Sequence, residues 1–513
     1  MSLTTFAHTT PDRAAYVDAQ TGETMTFAEL NDASIRLGHA LRAKLNVGDH
    51  VALLLENGLS YFIAGWACRR SGLYFIPINW HLGTAEAAYI VDNGDARALI
   101  ASPKMAELAE SIAASNDKLE LLISGGEGFG PFPALASVLA AQSGTPDEFE
   151  PAGLPLTYSS GTTGHPKGIW RPLSGASFND EPLSSEWMLR DLFGATGEIV
   201  YYHPAPMYHT SPLLCSMGAQ ALGGTVIMSP RFDAEETLRI IDTFGVTLAH
   251  FVPTHLVRIL QLPEDVRNKY SHATLQQVLH SAAPCPAEVK RRIIDWWGPI
   301  VSEFYASSEG GGCTVVYSDE WLAKPGTVGK TIGGAIHILD DDGREVPVGE
   351  IGHITFEDGI PFEYYKDSAK TQDFFTPEGW AKLGDMGWVD EEGFLFLADR
   401  ASHMIISGGV NIYPQEIEDA LILHPAIRDA AVIGVPDPDF GEAVRAVVEL
   451  KDGFTPGPEL EAELIAYCRS KLAKFKCPKA VDFMDELPRI PSGKLLKREL
   501  RKLYWGEGRK LIV

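Results

Sequence analysis

Residues 25–45, MTFAELNDASIRLGHALRAKL, space their apolar side chains for one face of a helix. Thr26 with Glu29 three residues on supplies a capping box at its start. The run HVALLLEN behind it is apolar almost without a break, as in a strand buried on both faces. A second helical run follows in LSYFIAGWACRRSG, and the two patterns keep alternating through EIVYYHPAPMYHT, GTVIMSP and AEETLRIIDTFGVTLAHFVP. Such alternation predicts an α/β fold of largely parallel sheets flanked by helices. After about residue 325 the texture changes to short β runs broken by Asp-Gly and Glu-Gly turns, which predicts a small β subdomain over about 325–400. Past Arg400 a Gly-containing loop leads to a helix near Pro414. Two strand-like runs, DAAVIGV and AVRAVVEL, and the helix PELEAELIAYCRSKL follow. The expected organisation is a large N-terminal domain, residues 1–400, and a small α+β C-terminal domain, residues 401–513.

Composition narrows the function without naming it. At 513 residues the chain exceeds one compact core, and 45% hydrophobic with 22% charged residues is ordinary for a globular protein. Lys plus Arg is 43 against 68 Asp plus Glu, a formal charge of −25, which argues against nucleic acid or anionic membrane as the main partner. The charge is uneven, since residues 402–513 are nearly neutral. That segment holds RSKLAKFKCPK, a basic stretch with no acid: either a solvated helix end or a site for a polyanionic cofactor. Cys68, Cys215, Cys285, Cys313, Cys468 and Cys477 form no Cys-x-x-Cys pair, so reduced thiols, no zinc site and a cytoplasmic protein are expected. The start has no apolar core for a signal peptide. The most apolar long stretch is interrupted by Arg69 and Arg70, so no integral membrane segment is expected.

The chemistry concentrates in LTYSSGTTGHPKG, residues 156–168. A flexible linker is the plain alternative. Glycines that admit phosphate oxygens, hydroxyls that donate to them and Lys167 make an anion cradle instead. It is neither a Walker loop nor a nucleophile elbow, while an amidase-like hydrolase remains open. EFYASSEGGG places Tyr305, Ser308 and Glu309 ahead of three glycines, and a carboxylate there suits a Mg²⁺–nucleotide complex. Asp385 in KLGDMGW and Arg400 in LADR could hold ribose or phosphate, and Lys494 follows Pro-Ser-Gly ahead of a basic helix.

In this order the motifs resemble the adenylate-forming superfamily of acyl-CoA synthetases, peptide-synthetase adenylation domains and beetle luciferases. The likeness covers essentially the whole chain: Ser-Ser-Gly-Thr-Thr-Gly-x-Pro-Lys, Tyr-x-Ser-Ser-Glu, Gly-Asp, Asp-Arg, Gly-Gly-x-Asn-Ile-x-Pro and Pro-x-Gly-Lys. The resemblance implies that Ser159, Ser160, Gly161, Thr162, Thr163, Gly164 and Lys167 hold the ATP triphosphate. By the same resemblance, Ser281, Ala282 and Ala283 flank the adenine and Tyr305 stacks on it. Ser308 contacts the α-phosphate, Glu309 binds Mg²⁺, and Asp385 and Arg400 hold the ribose. Lys494 lies between the α-phosphate and the acyl carboxylate, and the small domain is mobile.

For the second half-reaction the likeness implies a coenzyme A site at Gly408 and Gly409, with Lys474 and Lys476 as candidates for its nucleotide phosphates. Amino-acid-activating members carry an Asp where PMYHTSPLLCSMG has no carboxylate, so a free acid is the expected substrate. His209, with Ser211 beside it, resembles the acyl gate; a His capping a turn is the alternative. The expected reaction is an ATP-dependent acid–CoA ligation on a medium-chain, long-chain or other apolar acid, and a homodimer is left open as the assembly. Transfer to a carrier protein and a catalytically silent nucleotide-binding module are the alternatives. One departure stands out. The hinge position is commonly Asp or Lys with an acid next, and this chain reads Ser402-His403.

Overall fold

The computed structural model describes residues 2–159, 166–489 and 495–505. The helix Phe27–Arg42 opens on Thr26, whose hydroxyl accepts from the Glu29 N–H while the Glu29 carboxylate accepts from the Thr26 N–H. It packs against the helix Leu59–Arg70. That second helix buries Arg69 and Arg70, which the sequence offers only as breaks in an apolar run. Arg69 donates to the Gly153 carbonyl at 2.6 Å, and Arg70 pairs with Glu150 at 3.0 Å. Partners brought from 80 residues away make burial of these charges tolerable.

Two large sheets, together with a three-stranded one made of Thr157–Ser159, Lys167–Trp170 and Glu363–Tyr364, build the N-terminal part. One is five-stranded and parallel, with His50–Leu54 between Tyr74–Pro77 and Ala96–Ala101. The other follows a path of thirteen hydrogen-bonded strands. Along it Val200–Tyr202, Leu248–Phe251, Gln277–His280 and Val301–Ala306 run parallel, and from Val301–Ala306 onward the pairing is antiparallel. The strands of residues 327–400 other than Glu363–Tyr364 continue this path: Thr327–Thr331 pairs with Leu395–Arg400, and Leu395–Arg400 with Ala381–Val389. The carboxyl ends of the parallel strands therefore open on one edge, the place where α/β sheets present ligand-binding loops. Beyond Arg400, the long hairpin Ile427–Asp437 and Gly441–Leu450 carries the helices Pro414–Leu421, Pro458–Lys471 and Lys497–Trp505 around its own core. All six cysteines are unpaired. Among the described residues, no helix is long and apolar enough to cross a membrane.

Candidate active site

The strand Thr157–Ser159 pairs with Lys167–Trp170, with Ser159 opposite Lys167, so the glycine- and hydroxyl-rich segment connects the arms of a hairpin. Ser160, Gly161, Thr162, Thr163 and Gly164 lie outside the described residues, as does Lys494. Along the outgoing arm the strand alternation puts Lys167, Ile169 and Arg171 on one face. Ile169 is fully buried against Phe362, Tyr364 and Phe374. Lys167 Nζ lies 5.3 Å from the centre of the Tyr364 ring, a cation–π contact. Burial, with Lys370 close by, lowers the Lys167 pKa.

The strand Val301–Ala306 delivers the turn that bears Ser308 and Glu309 to the same place. Thr210 Oγ1 and Ser308 Oγ are 3.4 Å apart. The Tyr364 hydroxyl donates to Glu309 Oε1 at 3.0 Å, and Arg171 Nη2 donates to the Glu309 carbonyl at 2.7 Å. Burial first and the Glu309 carboxylate next hold Tyr364 well above the usual phenol range, so it remains a donor. Neither Arg171 nor Tyr364 stands out in the sequence; both belong to this site only through the fold.

Tyr305, Asp385 and Arg400 meet on the antiparallel side. Asp385 and Arg400 are cross-strand partners. Arg400 Nε stands 3.2 Å from Asp385 Oδ1, and the Tyr305 hydroxyl donates to Oδ2 at 2.7 Å. Burial and the Asp385 carboxylate push Tyr305 well above its ordinary pKa. Ser281, expected beside the adenine, is buried, and its hydroxyl sits 3.0 Å from Nε2 of the buried His250. Burial drives His250 down to about 3, so its ring is neutral at physiological pH. Ala282 takes φ +75°, a conformation costly for a residue with a Cβ, and Ala283 follows it. This strained loop leaves the strand adjacent to the one that carries Tyr305.

His209 begins the helix Thr210–Ala221 and makes no side-chain cap bond there; its ring packs 4.5 Å from that of Tyr208. Ser211 Oγ is 3.8 Å from Cys215 Sγ. Pro212, Leu213 and Met217 are buried on the same helix. Among the described residues no group of three or more His, Cys, Asp and Glu converges as a metal-only cage. One carboxylate with hydroxyl neighbours is the donor chemistry of a Mg²⁺ that arrives on phosphates.

In the small domain, Gly408 and Gly409 have φ +58° and +80° and close the two-residue turn of a hairpin, Ser407 opposite Val410. Both positions demand the left-handed region, which glycine enters without cost. Ile406, Val410 and Phe440 lie exposed around this tip. Lys474 is exposed, whereas Lys476 is engaged by Glu416 at 2.6 Å. Ser402 sits exposed in a single turn, Ala401–His403, between the domains. Just before it, buried Asp399 accepts from the Gln415 backbone at 3.0 Å and faces His403 at 3.3 Å, while Lys497 pairs with Glu418 at 2.8 Å.

Residues 3–365 match the AMP-binding enzyme family, and residues 416–494 match the AMP-binding enzyme C-terminal domain. A long-chain-fatty-acid–CoA ligase of Mycobacterium tuberculosis, FadD13, is 31% identical over 97% of this chain and 97% of its own. ScoC of Streptomyces coeruleorubidus, a fatty acid–[acyl-carrier-protein] ligase, is 30% identical over 96% and 94%. ATP-bound MatB from Rhodopseudomonas palustris superposes with a TM-score of 0.82 at 29% identity, over 98% of this chain and 99% of that one. The chain belongs to the AMP-binding enzyme family, within the adenylate-forming superfamily of acid–CoA ligases.

Proposed function

We propose that this protein joins a carboxylic acid with an apolar body, a fatty acid of medium or long chain first among them, to coenzyme A. The reaction runs through an acyl-adenylate, with AMP and pyrophosphate as products. The observation that carries the reading is the convergence of Lys167, Ser308 and Glu309 from separate elements at the mouth of one hairpin, beside the Tyr305–Asp385–Arg400 cluster.

In the first step the acyl carboxylate attacks the α-phosphorus and pyrophosphate leaves. Anion approaches anion, so positive charge must be in place beforehand. Lys167, at the end of the hairpin, serves the triphosphate together with Ser159 and the segment from Ser160 to Gly164. Ser308 donates at the α-phosphate. Glu309 is the protein ligand for Mg²⁺, which when bound neutralises phosphate charge. Asp385 and Arg400 hold the ribose, and Tyr305 with Ser281–Ala283 encloses the adenine. Lys494 neutralises the charge that develops between the carboxylate and the phosphorus.

In the second step the thiol attacks the acyl carbon, the bond to the AMP oxygen breaks, and AMP departs. A rotation at Ser402 exchanges Lys494 for the Gly408–Gly409 tip, whose missing side chains admit the thiol arm. Lys474, and Lys476 once released from Glu416, would meet the nucleotide phosphates. The carboxylate-free face of the helix Thr210–Ala221, behind His209 and Ser211, supports an apolar acid rather than an amino acid.

Likeness to ScoC supports a second acceptor, a carrier-protein thiol. Pyrophosphate release from a panel of acids, with CoA, with a carrier protein and with neither, separates the two. Acid-dependent release with thioester formed only on CoA is the expected result; release with no transfer to CoA would overturn it.

A further inference from the structure

We infer that Arg171 is the positioning residue for the Glu309 turn, setting that carboxylate for the metal without pairing with it; this rests on the Mg²⁺–ATP reading above. Arg171 stands one residue past the strand Lys167–Trp170, on the same face as Lys167. Its backbone is pinned from the five-stranded sheet, where the Tyr74 hydroxyl donates to the Arg171 carbonyl at 2.6 Å. Its Nη2 donates to the carbonyls of both Ser308, at 3.3 Å, and Glu309, at 2.7 Å. The guanidinium therefore ties the hairpin that leads from the triphosphate loop to the turn that bears the metal ligand.

Two further observations make this a built contact. Gly310, at φ +76°, lies so close that a Cβ there would stand 2.8 Å from Arg171 Nη2 and 3.3 Å from Ile360 Cβ. The Gly310 carbonyl accepts from Ile360 N at 2.8 Å, so the turn is fixed on its other side as well. An arginine in this position would ordinarily fork onto the carboxylate. Here its Nη2 bonds go to the peptide carbonyls. The carboxylate takes its hydrogen bond from Tyr364, on Oε1. Outer partners of metal ligands act in this way, by orienting the ligand, and their loss typically costs 10–100-fold in metal affinity.

The test compares full-length Arg171→Met, Arg171→Lys and Glu309→Gln with the wild type. ATP binding is measured by calorimetry across a Mg²⁺ titration and in EDTA, and CoA transfer is measured from supplied acyl-AMP. Arg171→Met is expected to raise the half-maximal Mg²⁺ concentration about 10-fold. ATP affinity in EDTA and transfer from acyl-AMP should stay within about 2-fold of the wild type. Arg171→Lys, which can still reach one carbonyl, should recover part of the shift.

A folded Arg171→Met whose Mg²⁺ titration overlays the wild type overturns the proposal. An equal loss of ATP affinity in EDTA does so too, because Arg171 would then be touching phosphate directly. If Arg171→Met does not fold, a wild-type titration in Arg171→Lys overturns it instead. A Glu309→Gln variant that titrates like the wild type sinks the metal reading of Glu309 itself, a separate failure.

Discussion

Removing the amino group of Lys290 should destabilise the large domain far more than deleting the whole ion pair it belongs to. Lys290 Nζ lies 2.7 Å from Glu303 Oε2, with side chains 0% and 6% exposed, and His280 Nε2 stands 3.5 Å from the same oxygen. The ammonium also lies 5.1 Å from the centre of the Trp321 ring. Burial raises the Glu303 pKa against the pull of Lys290, and burial, then Lys290, drives His280 well below its ordinary value. Lys290 is thus the cation that offsets the cost of burying the Glu303 carboxylate. Lys290→Met would leave a buried carboxylate with no cation, at a cost of about 3–5 kcal/mol. Replacing both groups by apolar ones of similar volume should return to within about 1–2 kcal/mol of the wild type.

The sign of the pH dependence follows from the same geometry. In Lys290→Met the folded Glu303 pKa rises further above its unfolded value of about 4.3. The folded state is then penalised only above that value, increasingly so up to the new folded pKa. The deficit should be smaller at pH 5.5 than at pH 8, with protonation of Glu303 or His280 relieving the orphan. Urea unfolding of the single variant and of Lys290→Met/Glu303→Met, at both pH values and followed by tryptophan fluorescence, measures this. An equal deficit at both pH values, with no recovery in the double variant, would refute the argument. Lost packing of the lysine stem on Trp321 would then be the cause.

Lys494→Ala should lower acyl-AMP formation about 10²–10³-fold, roughly 3–4 kcal/mol of charge stabilisation, and spare CoA transfer from supplied acyl-AMP; equal loss in both half-reactions rejects that role. Ser402→Pro fixes φ near −65° and should harm one half-reaction much more than the other, whichever arrangement that φ suits, so wild-type rates in both would remove Ser402 as the hinge. Asp419 is raised to about 7, chiefly by burial. Its stability contribution is therefore intact below about pH 3.9 and lost progressively as pH rises toward 7. Asp419→Asn, which keeps an acceptor for Gln415 Nε2, should melt near the wild type at pH 4 and above it at pH 8; coincident melts at pH 8 would contradict this.

The features legible in the sequence are those that are local. The Thr26–Glu29 box spans three residues, and the structure places its helix there. The switch from alternating to turn-rich texture near residue 325 falls close to the strand Thr327–Thr331, where antiparallel pairing prevails. Family membership sets aside the amidase alternative. Arg171, Tyr364 and Lys290 carry no sequence signal, and Arg69 and Arg70 show only as breaks in an apolar run, because each is defined by a partner that only the fold brings to it. An arginine that bonds two carbonyls 137 and 138 residues away leaves no periodicity to read. The Asp399–Gln415 and Lys497–Glu418 contacts are of the same kind.

Under the rotation proposed at Ser402, the exposed tip around Gly408 and Gly409 would make temperature and salt into levers on this enzyme. Ile406, Val410 and Phe440 present 51%, 44% and 49% of their surface to water in the present arrangement of the domains. Any arrangement that covers them gains about 25 cal/mol per Å² of apolar surface removed from water. That gain weakens on cooling and strengthens in sulfate. Cold therefore favours the arrangement with the tip in solvent, and a strongly hydrated salt favours the one that shelters it. On that reading the balance between the two halves of the catalytic cycle would be tied to the solvent itself.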